Sequence, residues 1–215
     1  MPYHVPELLA AALASALASG LNVYASVALL GLLQRYDLLA LPPPLDTLAH
    51  PLVIAVALAL YAIEFVADKI PYVDNFWDAI HTFIRIPVGA LLAAGMFHQF
   101  APHWQVIMAM AGGFLAFQAH GAKASLRLAV NASPEPFSNW ALSITEDVLV
   151  GVLLWLAARH PYVALVLVAA LAVASFFLLR LIFRTLRRLW KKLTGGAPLS
   201  APQPVAPQAA APPRS

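Results

Sequence analysis

The sequence predicts an all-α, polytopic bundle of transmembrane helices, and three observations carry that prediction. Hydrophobic residues make up 61% of the 215, well above the share usual in a soluble domain, and mean hydropathy is +0.77. Several apolar runs reach about 20 residues, the length of helix needed to cross a roughly 30 Å hydrocarbon core. Proline-containing breaks separate those runs: "LALPPPLD", "KIPYVDN", "FHQFAPH", "NASPEPFSN" and "RHPY". A chain of this size makes one bundle rather than several domains. It has no cysteine, so disulfides and thiolate metal sites are excluded.

Six helices follow from these breaks, at about 7–34, 51–70, 77–98, 103–131, 138–159 and 161–193. The first lacks a positive n-region and its apolar run continues to Leu33, so it reads as a retained span and not a cleaved signal. Within it, "GLNVY" places Asn22 in the outer-middle part of the membrane, a candidate gate or ligand group. The third helix contains Pro87, which removes a backbone hydrogen bond. With Gly89 and Gly95 it marks either a packing kink or an unwound site, a second candidate gate. Gly112-Gly113 loosens the fourth helix, and close helix packing is the simpler reading of the glycines. Ser133-Pro134-Glu135 has the cap, proline and acid order of a helix start, placing the fifth helix after it. From 194 to 215 the chain is proline- and alanine-rich and is expected to be disordered, so residues 1–193 hold the bundle and its basic helix end.

Charge placement fixes the expected orientation. Six of the thirteen basic residues fall in "RLIFRTLRRLWKK", Arg180 to Lys192, directly after an apolar run. That reads as a juxtamembrane anchor for anionic lipid headgroups, and it removes nucleic acid from the expected partners. With that end inside and six spans, both termini are cytoplasmic. Inner connections then carry Lys69, Arg85, Lys123 and Arg127, and outer ones only Arg35 and Arg159, in keeping with the excess of positive charge on the inner side. Asn131-Ala-Ser133 fits a glycosylation acceptor but faces the cytoplasm in this topology.

Charged residues are only 11% of the chain, yet "IEFVADKIPYVDNFWDAIHTFIRIPVGALL" packs Glu64, Asp68, Lys69, Asp74, Asp78, His81 and Arg85 together. At a 1.5 Å rise per residue, Glu64, Arg85, Glu146 and Asp147 all lie about 10 Å deep. Glu64 and Asp68 share a helix face; Asp74, Asp78, His81 and Arg85 trace one stripe, and His120, Lys123, Arg127 and Asn131 another. An acidic hairpin and a basic stripe therefore face the same half of the bundle. Each such charge costs roughly 2.5–3.5 kcal/mol facing lipid, so these side chains point inward, pair or line water.

Three functions compete on these residues. In a small transporter or channel, Glu64, Asp68, Asp78, Glu146 and Asp147 bind a cation or carry protons. Arg85, Lys123 and Arg127 then act as counter-ions or hold an anionic group, and His81 and His120 join the relay. In a structural or assembly protein the same groups are ion pairs fixing register, with Lys69, Asp74 and Asp78 solvated at the interface. In a lipid-phosphate enzyme Asp74 and Asp78 hold Mg²⁺ while Lys123 and Arg127 hold phosphate. No nucleophile–base signature supports catalysis, no cofactor is expected, and the substrate ion or small molecule is not named by the sequence. A homo-oligomer is compatible with the composition.

"EFVADKIPYVDNFWDAIHTFIRIPVGALL", "HGAKASLRLAVNASPEPFSNWALSITED" and "GLNVYASVALLGLL" together resemble a bacterial integral-membrane family known as domain of unknown function 4126, over roughly residues 7–160. The resemblance implies a multi-pass protein of the bacterial inner membrane and carries no activity with it. Glu64, Asp68 and Lys69 also look loosely like the acidic-Asp-Lys motif of cation/proton exchangers, with different spacing. The two halves share a weak common plan: a helix reaches a proline-containing turn, "KIPYVDN" or "SPEPFSN", and the next helix carries charges early and a glycine at 89 or 151.

Overall fold

The computed structural model describes residues 4–70, 73–131 and 136–194, and these are helical throughout apart from short connections. Seven α-helices occur among them: α1 (Val5–Leu21), α2 (Val23–Arg35), α3 (Pro51–Ala67), α4 (Val73–Met96), α5 (Pro102–Asn131), α6 (Pro136–Arg159) and α7 (Pro161–Thr194). A short 3-10 turn, Leu45–Ala49, leads into α3. The helix-start signature at 133–135 and the proline-rich tail lie outside the described residues.

The expected first span is two helices. Asn22 adopts an extended backbone, ending α1 and capping α2 with its side-chain oxygen, which accepts from the Ala25 N–H at 2.9 Å. An asparagine offers the backbone this local alternative to a continuous helix. By contrast α4 runs unbroken through Pro87. The six-helix count therefore rises to seven among the described residues, because a cap and not a proline makes the break.

α1 is the centre of the bundle, packing against α2, α4, α5 and α6. Ala10, Ala12, Ala14, Ala16 and Ala18 along it are fully buried, as befits a helix apolar on all sides. Small residues set its distance from α4 and α5. A Cβ added at Gly89 would lie 2.8 Å from the Ser19 hydroxyl, and one at Gly112 would lie 2.6 Å from the Gly89 carbonyl oxygen. Close approach of backbones, the packing reading of these glycines, is what the structure contains.

Outward faces are lined by large apolar side chains, among them Leu52, Val66, Phe83, Met110, Phe114 and Trp155. Among the described residues three helices are long and apolar enough to cross a membrane: Val73–Met96, Phe137–Arg159 and Pro161–Lys192. This is an all-helical membrane protein. The chain divides after Arg180 into two compact units. In the first, Ala164 and Val168 of α7 are buried, and the Gln118 amide donates to the Ala172 carbonyl at 2.6 Å. In the second, Arg184, Arg187, Arg188 and Lys191 are exposed along the helix, as are Phe183, Leu186, Leu189 and Trp190.

Candidate functional site

α3 and α5 end, and α4 and α6 begin, around one buried charged layer. α3 supplies Glu64 and is capped by Asp68; α4 supplies Asp74, Asp78 and Arg85, α5 Lys123 and Arg127, and α6 Glu146. Helical spacing puts Asp78 and Arg85, seven residues apart, on one face of α4. Arg85, Lys123 and Arg127 have no exposed side-chain surface, so water cannot compensate their charges and protein groups must.

They do so by sharing carboxylates. Arg85 donates through Nη1 to Asp78 Oδ1 at 3.0 Å and through Nη2 to Glu64 Oε1. Arg127 Nη2 lies 2.8 Å from Asp68 Oδ2 and 2.7 Å from Glu146 Oε2, while its Nη1 donates to the Asp68 carbonyl. Lys123 Nζ reaches both of those carboxylate oxygens at 3.2 Å. Looser pairs run from Lys123 to Glu64 at 3.7 Å, and from Arg127 to Asp74 at 3.6 Å and Asp78 at 3.7 Å. Five carboxylates thus face three cations. Glu64 Oε2, Asp68 Oδ1, Asp78 Oδ2 and Glu146 Oε1 are buried and accept no hydrogen bond from the protein.

Asp74 and Asp78, expected at the solvated interface, are buried, at 0% and 2% exposure. Asp74 is held by the side-chain amides of Asn131 and Asn139 and by the Asn75 N–H, so its carboxylate is bonded to protein groups. Lys69 behaves nearer to expectation: it is half-buried, stacks over Phe65 and donates to that residue's carbonyl. Of the two candidate histidines, His120 is bonded to the layer. His120 meets Arg85 Nη1 at 3.0 Å and the Thr82 hydroxyl at 2.7 Å. His81 meets the Tyr24 hydroxyl at 3.0 Å and the Trp77 carbonyl at 2.8 Å.

Asp147 stands apart from its neighbour Glu146. Adjacent residues on a helix point about 100° apart, and Asp147 turns to Asn22 Nδ2 and the Tyr61 hydroxyl, each at 3.1 Å. Asn22 is almost fully buried there. The helix break it creates also leaves the Leu21 carbonyl free at the end of α1, and Lys123 donates to it at 2.9 Å. A cation sits at the negative end of α1 and a carboxylate is bonded to the residue at the positive end of α2, the arrangement that helix dipoles favour.

Among the described residues no three of the His, Asp and Glu side chains group to hold a metal ion; each carboxylate of the layer faces a cation or an amide. The Asp74/Asp78 pair considered for Mg²⁺ is hydrogen-bonded to asparagines at one and to Arg85 at the other, and both face Arg127. Pro87 touches none of these groups in any hydrogen bond, and it lies within an intact helix.

The model of the family described as Domain of unknown function (DUF4126) matches residues 9–181. The chain belongs to that family. No curated protein and no solved structure matches it. The family match takes in the entire charged layer of this DUF4126 chain and extends past the likeness to about 160 read from the sequence, stopping within α7. The sequence reading did not single out Tyr24, Tyr61, Thr82, Ser143 or Asn139 as site residues. All are neutral, isolated in the sequence and brought in only by helix packing. Tyr24, Thr82, Asn139 and Ser143 lay inside the quoted motifs and Tyr61 outside them.

Proposed function

We propose that this protein is a small transporter or channel for protons or small cations, spanning the bacterial inner membrane six times with α1 and α2 as one interrupted span and both termini cytoplasmic. The observation that carries the reading is the imbalance of the buried layer: five carboxylates to three cations, with four carboxylate oxygens lacking a protein donor. A layer built only to fix helix register is best served by matched, fully bonded charges, since uncompensated buried charge is strongly destabilising. Surplus carboxylates must take up protons or cations, and doing so reversibly is what a proton or cation pathway requires. The interrupted helix at Asn22, meeting a carboxylate inside the bundle, supports the same reading.

The test is flux in proteoliposomes across protons, monovalent and divalent cations and small anions, wild type against Glu64→Gln. A cation or proton flux lost in the variant supports the proposal. Silence of the folded, inserted protein across the whole panel refutes it. A structural or assembly role is the second reading, favoured by Asp74, whose bonds to Asn131, Asn139 and the Asn75 amide tie α4, α5 and α6 together. Under that reading exchanging Glu64 and Arg85 preserves stability and activity together.

A further inference from the structure

An apolar crevice of about 220 Å³ lies between α1, α5, α6 and the first part of α7, with Leu17, Leu126, Leu142, Leu149, Leu171 and Leu178 among its walls. Lys123 and Glu146 also line it, so the crevice ends on the charged layer. These two groups differ in what they can still bind. An ammonium has three N–H donors; Lys123 gives two of them to the Leu21 carbonyl and Asp68, and its Nζ lies 3.2 Å from Glu146 Oε2. Glu146 is 6% exposed and its Oε2 serves Arg127 and Lys123, but its Oε1 has no hydrogen-bond partner. An anion would meet a lysine already paired with acids, in a layer where carboxylates outnumber cations. A protonated amine would meet a buried acceptor that has no hydrogen-bond partner, and apolar walls suit an apolar body behind it.

We infer that the crevice is a binding site for lipophilic amines, with Glu146 as counter-ion and α5, α6 and α7 enclosing the apolar part. The inference names a substrate class for the layer on which the transport reading rests, and binding is measured separately from flux. The ligand reaches Glu146 sideways, between helices, in the way expected for a molecule already dissolved in lipid. Ser175, half-buried on α7, lines the same crevice.

The experiment is a fluorescence titration of the full chain in phosphatidylcholine nanodiscs with monodansylcadaverine, a primary amine whose emission rises in apolar surroundings. Its N-acetyl derivative, identical but neutral, is the control. The expected result is saturable binding of the amine and none of the neutral derivative. Binding should weaken by about thirtyfold or more in Glu146→Gln, as for loss of one partner of a buried charge pair. It should vanish in Ser175→Trp, which fills the crevice and leaves every charge in place. Equal titration by the neutral derivative, or full binding in Ser175→Trp, overturns the inference, and both readouts survive if Glu146→Gln does not fold. Saturable binding without cation flux would refute the transport reading alone; flux sensitive to Glu64→Gln without saturable binding would refute this inference alone.

Discussion

Removing a cation from the charged layer should be more damaging than neutralising an acid. Arg127→Gln strips a fully buried guanidinium from Asp68 and Glu146, at 2.8 and 2.7 Å, and from Asp74 and Asp78 beyond them. Breaking a buried pair by removing one partner costs about 3–5 kcal/mol. At about 2–4 °C per kcal/mol for a chain of this size, the midpoint of thermal unfolding should fall by about 6–20 °C. Glu64→Gln is the mirror case with a different outcome. Arg85 keeps Asp78 and His120, Lys123 keeps Asp68 and Glu146, and the Glu64 oxygen that has no partner loses nothing. The cost there is that of one charge-assisted hydrogen bond, about 1.5–3 kcal/mol, or about 3–12 °C. The assay is thermal unfolding of both variants in one detergent, followed by intrinsic tryptophan fluorescence. Equal shifts, or a larger one for Glu64→Gln, would refute the claim that acids are in surplus.

Asn22→Ala removes a helix cap and a bond to a carboxylate; it should destabilise by about 1–3 kcal/mol, read as a lowered unfolding midpoint, while Asn22→Asp, which keeps the cap oxygen but faces Asp147, should do no better. Gly112→Val sets a side chain against Ala93 and the Gly89 carbonyl, and overpacking of at least about 1–3 kcal/mol should appear in the same melt. Gly151→Ala, with nothing within 4 Å of the added carbon, should be neutral or stabilising by up to about 1 kcal/mol. Replacing Arg184, Arg187, Arg188 and Lys191 by Gln should reduce retention of phosphatidylglycerol during delipidation, measured by native mass spectrometry, since each basic residue near an anionic surface contributes about 1 kcal/mol; unchanged retention would remove the headgroup-anchor role.

How much of this the sequence disclosed follows from what periodicity can and cannot carry. The all-helical membrane class was legible in apolar runs, and the stripe Asp78, His81 and Arg85 was legible in steps of three and four. So was its counterpart on α5, because side chains that far apart share a helix face whatever the tertiary fold. Ion pairs among these groups were expected, but not which acid would meet which base. That Arg127 takes Asp68 and Glu146 while Arg85 takes Glu64 depends on helix rotation, which spacing does not specify. Asn22 was noticed, yet its effect was misplaced: Pro87 drew attention as the breaker, although α4 runs through it, whereas a capping side chain ended α1. The burial of Asp74 was hidden because its partners, Asn131 and Asn139, are separated from it by more than fifty residues.

The break at Asn22 and the excess of acids belong to one arrangement. Were α1 and α2 continuous, the Leu21 carbonyl would accept from the N–H four residues on, and Lys123 would lose an acceptor that is neutral and backbone-fixed. It would then depend on Asp68 and Glu146 alone, both already shared with Arg127. The break thus holds the lysine by a group that cannot be protonated, so its position does not depend on the charge state of the acids around it. Asp147 gains from the other side of the same break, bonded to the residue that starts α2, where the dipole favours a carboxylate by about 0.3–1 kcal/mol. A lysine held by a backbone group is what the proposed relay would need among its acids. It also explains why the helix nearest the centre of the bundle, and not a peripheral one, is the one interrupted.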